Sequence, residues 1–203
     1  WKEFDCYNLA AIGKTTNDNP FIPSWRLIGG YWQWGRKGPS SSQWYKTNTE
    51  HFAHGPTGPG DTEANEGEIS NWDDVYAPDG SWSDSEKTVN DPCPAGYRVP
   101  TIAQWEGVLD LDNNTQSTVG TWSNSATNYS SARFFGDDLM LPAAGYRDYL
   151  SGALNTRGTN GFYWSSSELT SSVSARYLDF TSDNAGTSSY FRVDGFSVRC
   201  IAE

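Results

Sequence analysis

The sequence predicts a strand-rich α+β domain with one or two helices and long irregular loops. Segments near residues 177–180 and 196–200 alternate apolar and polar side chains, which is typical of half-buried strands. One helix start is well marked near residue 101, and stretches rich in Pro, Gly and Ser separate the regular segments. A chain of 203 residues suits a single large domain, and we expect one over 1–203, with a loop-rich acidic insertion at about 55–88.

Composition limits the classes of partner. Only 36% of residues are hydrophobic, but 15% are aromatic and ten are Trp, so a core can be built from a few large rings. The net charge is −11 and the 14 basic residues are scattered, which disfavours nucleic acids and anionic membrane surfaces. No apolar run approaches the ~18 residues of a membrane span, so we expect no direct membrane insertion.

The first third of the chain combines short apolar segments with turns. The stretch "SWRLIGGYWQWG" predicts two short strands about Gly29 and Gly30, with Trp32 and Trp34 on one face.

Residues 36–90 are the least regular part of the sequence. Isolated rings at Trp44, Trp72 and Trp82 are expected to pin these loops onto the core. A second helix could lie in "TEANEGEISNWDDVY".

The acidic loop also offers oxygen ligands for a structural calcium ion. The weak candidate ligands are Asn71, Asp73, Asp74 and Asp79. A polar acidic loop without metal is the favoured alternative, and no other metal or cofactor is expected.

The clearest signal in the chain is "GYRVPTIAQWEGVLDL". "GYRVP" predicts a short strand, and "TIAQ" is a capping box in which Thr101 and Gln104 each satisfy the other's backbone amide. The helix that follows should bury one apolar stripe, made of Ile102, Trp105, Val108 and Leu109.

The three cysteines allow three single pairings. We favour Cys93–Cys200 because each residue flanks a strong structural segment, and this bond would close a loop of roughly 100 residues. Cys6 would then be free or intermolecular. Three reduced cysteines in a cytosolic protein remain the alternative.

The C-terminal stretch from 161 to 201 has well-marked ends and a small, polar middle. "DLMLPAAGYRD" before it predicts a strand and a turn. In its last segment Phe196, Val198 and Cys200 are expected to point inward, and Ser197 and Arg199 outward. Ser, Thr, Asp, Asn, Ala and Gly dominate the middle, although such residues are also simply good loop formers.

Four stretches together resemble a known family. They are "GGYWQWGRKGP", "NDPCPAGYRVPTIAQW", "LPAAGYRD" followed by "GTNGFYWSSS", and "GFSVRCI". The pattern resembles the Fibrobacter succinogenes major paralogous domain, found in Bacteroidetes-type surface proteins and some phages. This resemblance covers nearly the whole chain and implies a C-type-lectin-like fold. The acidic insertion at about 55–88 departs from the family pattern.

The C-terminal layout is also similar to the variable proteins of diversity-generating retroelements. There a C-type-lectin-like scaffold presents randomised residues between fixed strands. The resemblance implies a ligand-binding face at about 168–192, either diversified or fixed. Its candidate residues are Glu168, Thr170, Ser172, Ser174, Arg176, Tyr177, Ser182, Asp183, Asn184, Thr187, Ser189, Tyr190 and Arg192.

The expected function is non-catalytic recognition of a protein or glycan receptor on another cell. Such a domain would be extracellular, on a bacterial surface or a phage particle, as an adhesin or tail-fibre component. A structural fimbrial or fibre subunit, with homo-oligomer assembly, is the first alternative. A formylglycine-generating type of enzyme is a weaker one, since only Cys93 and Cys200 could serve as its reactive pair. No catalytic residue is expected, and the calcium-dependent sugar motifs of lectins do not occur in this sequence.

Overall fold

The computed structural model describes residues 3–38, 52–61, 67–69, 72 and 75–203, and it confirms the strand-rich α+β class. The helical segments are α1 (Gly13–Thr16), a 3-10 turn (Trp25–Leu27) and α2 (Ile102–Leu109). The strands are β1 (Tyr31–Trp32), β2 (Phe52–Ala53), β3 (Tyr97–Arg98), β4 (Gln116–Val119), β5 (Ala132–Phe135), β6 (Leu139–Pro142), β7 (Tyr146–Arg147), β8 (Leu154–Asn155), β9 (Gly161–Glu168), β10 (Ser174–Phe180), β11 (Ala185–Phe191) and β12 (Ile201–Ala202).

Helix α2 begins at the predicted capping box. The Thr101 hydroxyl accepts a hydrogen bond from the Gln104 amide at 3.2 Å, and the Gln104 side chain accepts one from the Thr101 amide at 2.8 Å. Trp105 and Val108 are buried, whereas Ile102 is half-buried. The Trp105 ring lies against Tyr163 of β9 at 6.2 Å, so α2 covers one face of the β9–β10–β11 sheet.

The β9–β10–β11 sheet is antiparallel in the order β11-β10-β9. Leu178 pairs with Thr187 and with Tyr163, so these residues share the α2 side. Tyr177 pairs with Trp164 and lies on the opposite side. Strand β11 forms one edge, while β9 is held on its far side by residues 100 and 197.

The four sequence stretches that carry the family resemblance meet in space. The Trp164 indole donates to the Trp32 carbonyl at 2.7 Å, and the Trp34 indole donates to the Ser165 carbonyl at 2.9 Å. A disulfide joins Cys93 to Cys200 across a Cα–Cα distance of 5.8 Å, as predicted. Cys6 is exposed and lies outside this disulfide.

The prediction of two strands about Gly29 and Gly30 is half wrong. The segment before these glycines forms the 3-10 turn, and only β1 follows them. Gly29 has a φ of +73°, which breaks an extended run, so the chain turns before it can pair. At Gly30 a Cβ would lie 2.2 Å from the Phe52 ring, which explains the close approach of β2.

The predicted outward orientation of Ser197 and Arg199 is also wrong. Both are buried, because the segment passes between β9 and the N-terminal residues. The Arg199 guanidinium donates to the Asn8 side chain at 2.8 Å and to the Met140 carbonyl at 3.0 Å. It is therefore satisfied inside the protein.

The described parts of the 55–88 insertion are attached to the core by indoles. Trp72 donates to the Val193 carbonyl at 2.9 Å, and Trp82 donates to the Asn90 carbonyl at 2.8 Å. Both rings are buried, as the sequence predicts. Trp44 lies outside the described residues, as does most of the segment proposed for a second helix. Within the described ranges, no helix has the length and apolar character needed to cross a bilayer.

Candidate functional site

The structure divides the predicted ligand-binding residues among several places. Glu168 ends β9, Thr170 and Ser172 belong to the β9–β10 connection, and residues 182–184 lie in the β10–β11 turn. Each of the two strands between these ends has seven residues, which separates the ends by about 20 Å. One compact ligand cannot touch both groups.

Along the strands, the predicted residues also face two directions. Ser174, Arg176, Thr187 and Ser189 follow the α2 side, where Arg176 approaches Glu106 at 3.5 Å. Tyr177 and Tyr190 belong to the other side. This alternation means that the segment 168–192 presents two surfaces rather than one.

Arg192 is not available to a ligand, which corrects its assignment as a contact residue. Its side chain is only 2% exposed and lies over the Trp34 ring at 4.5 Å. It donates to the carbonyls of Ala77 and Leu169 at 3.0 and 3.2 Å and forms an ion pair with Asp79 at 2.8 Å. Arg192 thus holds two loops on the end of β11.

The two carboxylates near Arg192 are engaged in the same network. Glu168 accepts a hydrogen bond from the Gly80 amide at 2.8 Å, and Asp79 accepts one from the Ser171 amide at 2.9 Å. The Ser171 amide and then Arg192 lower the pKa of the Asp79 carboxyl.

The Asp79 carboxylate is therefore already bound by the Ser171 amide and by Arg192, so Asp79 is poorly placed as a calcium ligand. The other candidate ligands, Asn71, Asp73 and Asp74, lie outside the described residues. Among the residues that are described, no group of three or more His, Cys, Asp or Glu could hold a metal ion.

Tyr177 and Tyr190 meet three further rings that the sequence prediction did not include. The five rings line a partly open cavity of about 130 Å³, which we call the aromatic pocket; its lining is Tyr146, Phe162, Tyr177, Tyr190 and Phe196. The rings of Tyr146 and Phe162 lie 5.0 Å apart, as do those of Tyr177 and Phe196. Tyr190 is nearly parallel to Phe196 at 6.3 Å, so its ring forms an outer wall.

Each ring arrives from a different segment. Tyr146 comes from β7, Phe162 from β9, Tyr177 from β10 and Tyr190 from β11. Phe196 is fixed by two backbone hydrogen bonds with Trp32, at 2.9 and 3.0 Å. Because all five segments are held by backbone pairing, the pocket is largely preformed.

Asp194 is fully buried, at 0% exposure, and lies close to the pocket tyrosines without lining the cavity itself. Among the described residues, neither carboxyl oxygen receives a hydrogen bond of standard geometry, although the Tyr149 backbone amide approaches closely enough to lower the pKa. Burial, reinforced by the charge of Asp148, raises the pKa of Asp194 to about 8.

The carboxyl of Asp194 is within electrostatic range of the pocket. Burial raises the pKa values of the Tyr146, Tyr177 and Tyr190 hydroxyls, and the charge of Asp194 raises each of them further. The backbone places this carboxyl firmly, because the next residue, Gly195, exchanges two hydrogen bonds of 2.8 Å with Arg147.

Two further rings lie next to Tyr190, and we call them the pocket rim: Tyr149 and Phe191. The Tyr190 and Phe191 rings lie 5.5 Å apart. Tyr190 and Phe191 are 39% and 37% exposed, and Leu150, which follows Tyr149 in the sequence, is 76% exposed. The Tyr149 and Phe191 rings lie 5.2 Å apart. Apolar surface that clusters around a pocket is typical of a binding site.

Sequence reasoning missed Tyr146, Phe162, Phe196 and Asp194. The first three lie in the frame stretches, where aromatic residues are expected to pack in the core. Asp194 carried a usable signal, since it is the lone acidic residue within the largely apolar run "FRVDGFSV".

Comparison with known proteins gives one family match. A family model described as a domain of unknown function, DUF8237, matches residues 122–201, a range that contains all five pocket rings and Asp194. No curated protein and no solved structure matches the chain.

Proposed function

We propose that this chain is a non-catalytic recognition domain that binds a protein or glycan receptor on another cell through the aromatic pocket, its rim and the outer side of β11. The observation that carries this proposal is the pair of exposed rings, Tyr190 and Phe191, at a preformed aromatic cavity. Rigid Tyr rings next to small polar residues make adaptable contacts at low entropic cost. Strand β11 supplies such a neighbour in Ser188, which is paired with Tyr177.

We further propose a C-type-lectin-like fold of the Fibrobacter succinogenes major paralogous domain type, displayed on a bacterial surface or a phage particle. Support comes from the four resembling stretches, which pack on one another through Trp32, Trp34 and Trp164 and through the disulfide. A disulfide is also typical of oxidising, extracellular compartments.

A binding test can be made before the receptor is known. The wild type and a Tyr190→Ser/Phe191→Ser variant are applied to a glycan array and to a displayed peptide library. A Val119→Ser variant is the matched control, because Val119 is equally exposed but belongs to β4. We expect some glycans or peptides to bind the wild type and the Val119→Ser control but not the Tyr190→Ser/Phe191→Ser variant, which we call the rim variant. If the rim variant binds the same glycans or peptides as the wild type, another surface is the binding site.

Diversification of this face is a separate proposal with a separate test. Residues 182–190 are mostly exposed, so their side chains can change without disturbing the core. Sequencing of the coding region across sibling isolates should then place substitutions in this stretch while 161–167 and 195–201 stay constant. Evenly spread substitutions would support a fixed binding face instead.

A structural fibre subunit is the second candidate, favoured by the exposed edge of β11. A seven-residue edge strand can accept a strand from another copy. Sedimentation at increasing protein concentration, with Cys6→Ser to prevent intermolecular disulfides, tests this alternative. An enzyme of the formylglycine-generating type has less support, because Cys93 and Cys200 are buried in the core.

A further inference from the structure

We propose that the aromatic pocket binds an alkylated ammonium group, with the Asp194 carboxylate as its counter-charge. Choline and methylated lysine side chains both carry such a group. This inference rests on the proposed recognition function and names the chemistry of the ligand.

The shape of the pocket suits a compact cation. Its volume of about 130 Å³ corresponds to roughly four water molecules, which is room for a head group and not for a large ligand. Ring faces carry negative potential, so a cation enclosed by several aromatic rings is attracted by each of them. Tyr190 closes the pocket from the solvent side, as its ring is half-exposed and lies opposite Phe196.

The charge beside the pocket decides between a cation and a neutral ligand. The ionised form of a buried carboxyl is unfavourable unless a counter-charge is near, and a cation in the pocket supplies one. A neutral apolar group would give the ionised form no counter-charge. The net charge of −11 further favours the approach of cations over anions.

Binding should be coupled to release of a proton. The charged and titratable groups around Asp194 are Asp148 and Tyr149 on the β7–β8 turn, the hydroxyls of Tyr146, Tyr177 and Tyr190 on the sheet strands, and Arg192 on its own segment. Arg147, paired with Gly195 through its backbone, directs its side chain to the carbonyls of residues 67 and 152.

Since the pKa of Asp194 is about 8 in the empty pocket, the carboxyl is largely protonated at pH 7 and must ionise when the cation binds. The pocket tyrosines are not expected to release this proton, because burial raises the pKa values of their hydroxyls further above the ordinary value for tyrosine. Affinity should therefore rise about tenfold per pH unit up to pH 8 and then level off.

The test is calorimetric titration of the whole chain with choline and with 3,3-dimethylbutan-1-ol, its neutral isostere, between pH 6 and 9. We expect choline to bind at least tenfold more tightly than the alcohol at pH 8.5. At pH 7, titrations in buffers of different ionisation enthalpy should show release of about one proton. Equal affinities, or an affinity independent of pH, would overturn the proposal.

Three variants test whether choline binds in the aromatic pocket. Asp194→Asn keeps the shape and should remove both the preference for choline and the pH dependence. Tyr190→Leu should weaken choline binding about tenfold, whereas Tyr76→Leu should not change it, because Tyr76 is exposed to a similar extent but does not line the pocket. Unchanged choline binding in Asp194→Asn would exclude this carboxylate as the counter-charge.

The source of the cation is resolved by a second titration. A short peptide with trimethyl-lysine is compared with the same peptide carrying norleucine, a neutral residue, and with free choline. Tighter binding of the methylated peptide indicates a protein receptor, and tighter binding of choline indicates a small molecule or a lipid or glycan substituent. If no ammonium compound binds but the rim variant still loses array hits, the recognition function stands and the ligand chemistry is wrong.

Discussion

Buried arginine side chains donate hydrogen bonds to backbone carbonyls in the irregular segments of this chain. Long irregular segments leave many carbonyls without strand or helix partners, and a buried carbonyl needs a donor. Arg147, Arg157, Arg192 and Arg199 are all almost fully buried and donate mainly to backbone carbonyls. A guanidinium offers five donors in a fixed plane, so one side chain can satisfy several loops at once.

Replacement of Arg192 should be costly for stability and not merely for binding. Arg192→Ala removes donors from the carbonyls of Ser174, Ala77 and Leu169, and we expect a loss of about 3–4 kcal/mol of unfolding free energy. Arg176→Ala is the control, since that half-exposed side chain makes one ion pair at 3.5 Å, and should cost less than about 1 kcal/mol. Urea unfolding measures both. Similar losses for the two variants would contradict the structural role of Arg192.

Asp194 predicts a pH-dependent change in stability. Its folded pKa of about 8 exceeds its ordinary value of 3.8, so between these values the folded protein keeps a proton that the unfolded chain releases. Wild-type stability must therefore fall, through this group, as the pH rises from about 4 to 8.

Asp194→Asn removes that loss because an amide does not ionise. The variant should match the wild type near pH 4 and become more stable by a few kcal/mol, at an order-of-magnitude level, above pH 8. Thermal unfolding at a series of pH values provides the measurement. A constant difference between the two proteins would show that the carboxyl does not titrate as inferred. Stabilisation by Asn would also fit a residue kept for function at the expense of stability.

At the level of the secondary-structure elements, a strong local signal such as a capping box predicts a helix correctly, whereas local patterns do not show which distant segments come together. Helix α2 follows from Thr101 and Gln104, three residues apart, and the structure confirms it. The aromatic pocket depends on five segments whose spatial order is set by strand pairing. Tyr177 and Tyr190 were selected from the sequence, but no periodicity within their own strands could show that Tyr146 and Phe162 stand beside them.

The small polar residues of β9 and β11 have opposite roles despite their similar composition. Ser166 is buried, and its hydroxyl donates to Asp84 at 2.6 Å, so it is small because there is no space for a larger side chain. Ser188 and Ser189 lie on the exposed half of β11. Composition alone could not separate these two cases, because both strands read as Ser-rich.

Substitution of these serines should affect stability differently in β9 and in β11. Ser189→Tyr and Ser189→Asp should change the unfolding free energy by less than about 0.5 kcal/mol, since exposed positions are tolerant. Ser166→Tyr should cost about 3 kcal/mol or prevent folding, because it overfills a packed site and breaks the bond to Asp84. A display library sorted after a heat challenge would measure all positions together. Depletion of the β11 variants from the sorted library would mean that this strand is covered in the folded protein.

At the scale of the whole molecule, both ends of the chain converge on one strand region. The Asp5 amide donates to the Cys200 carbonyl at 2.8 Å, and the Leu9 amide donates to the Val198 carbonyl at 2.8 Å. The disulfide links this region to Cys93, just before β3, across a sequence separation of 107 residues. The N-terminal segment, the segment before β3 and the C-terminal residues are therefore joined at one place, in the core cluster that also contains the pocket residues Tyr177 and Phe196.

This arrangement makes the disulfide the strongest single constraint on the unfolded chain. Closure of a loop of 107 residues is worth about 4–5 kcal/mol in the chain-entropy model, so Cys93→Ala/Cys200→Ala should lose stability of that order. In urea unfolding, reductant should lower the unfolding free energy of the wild type by the same amount and should leave that of the double variant unchanged. Cys6→Ser is the control and should be neutral, because Cys6 is exposed and outside the disulfide. Thiol titration of the denatured, unreduced protein should find one reactive group. Three thiols would place the protein in a reducing compartment and remove the main support for display outside the cell.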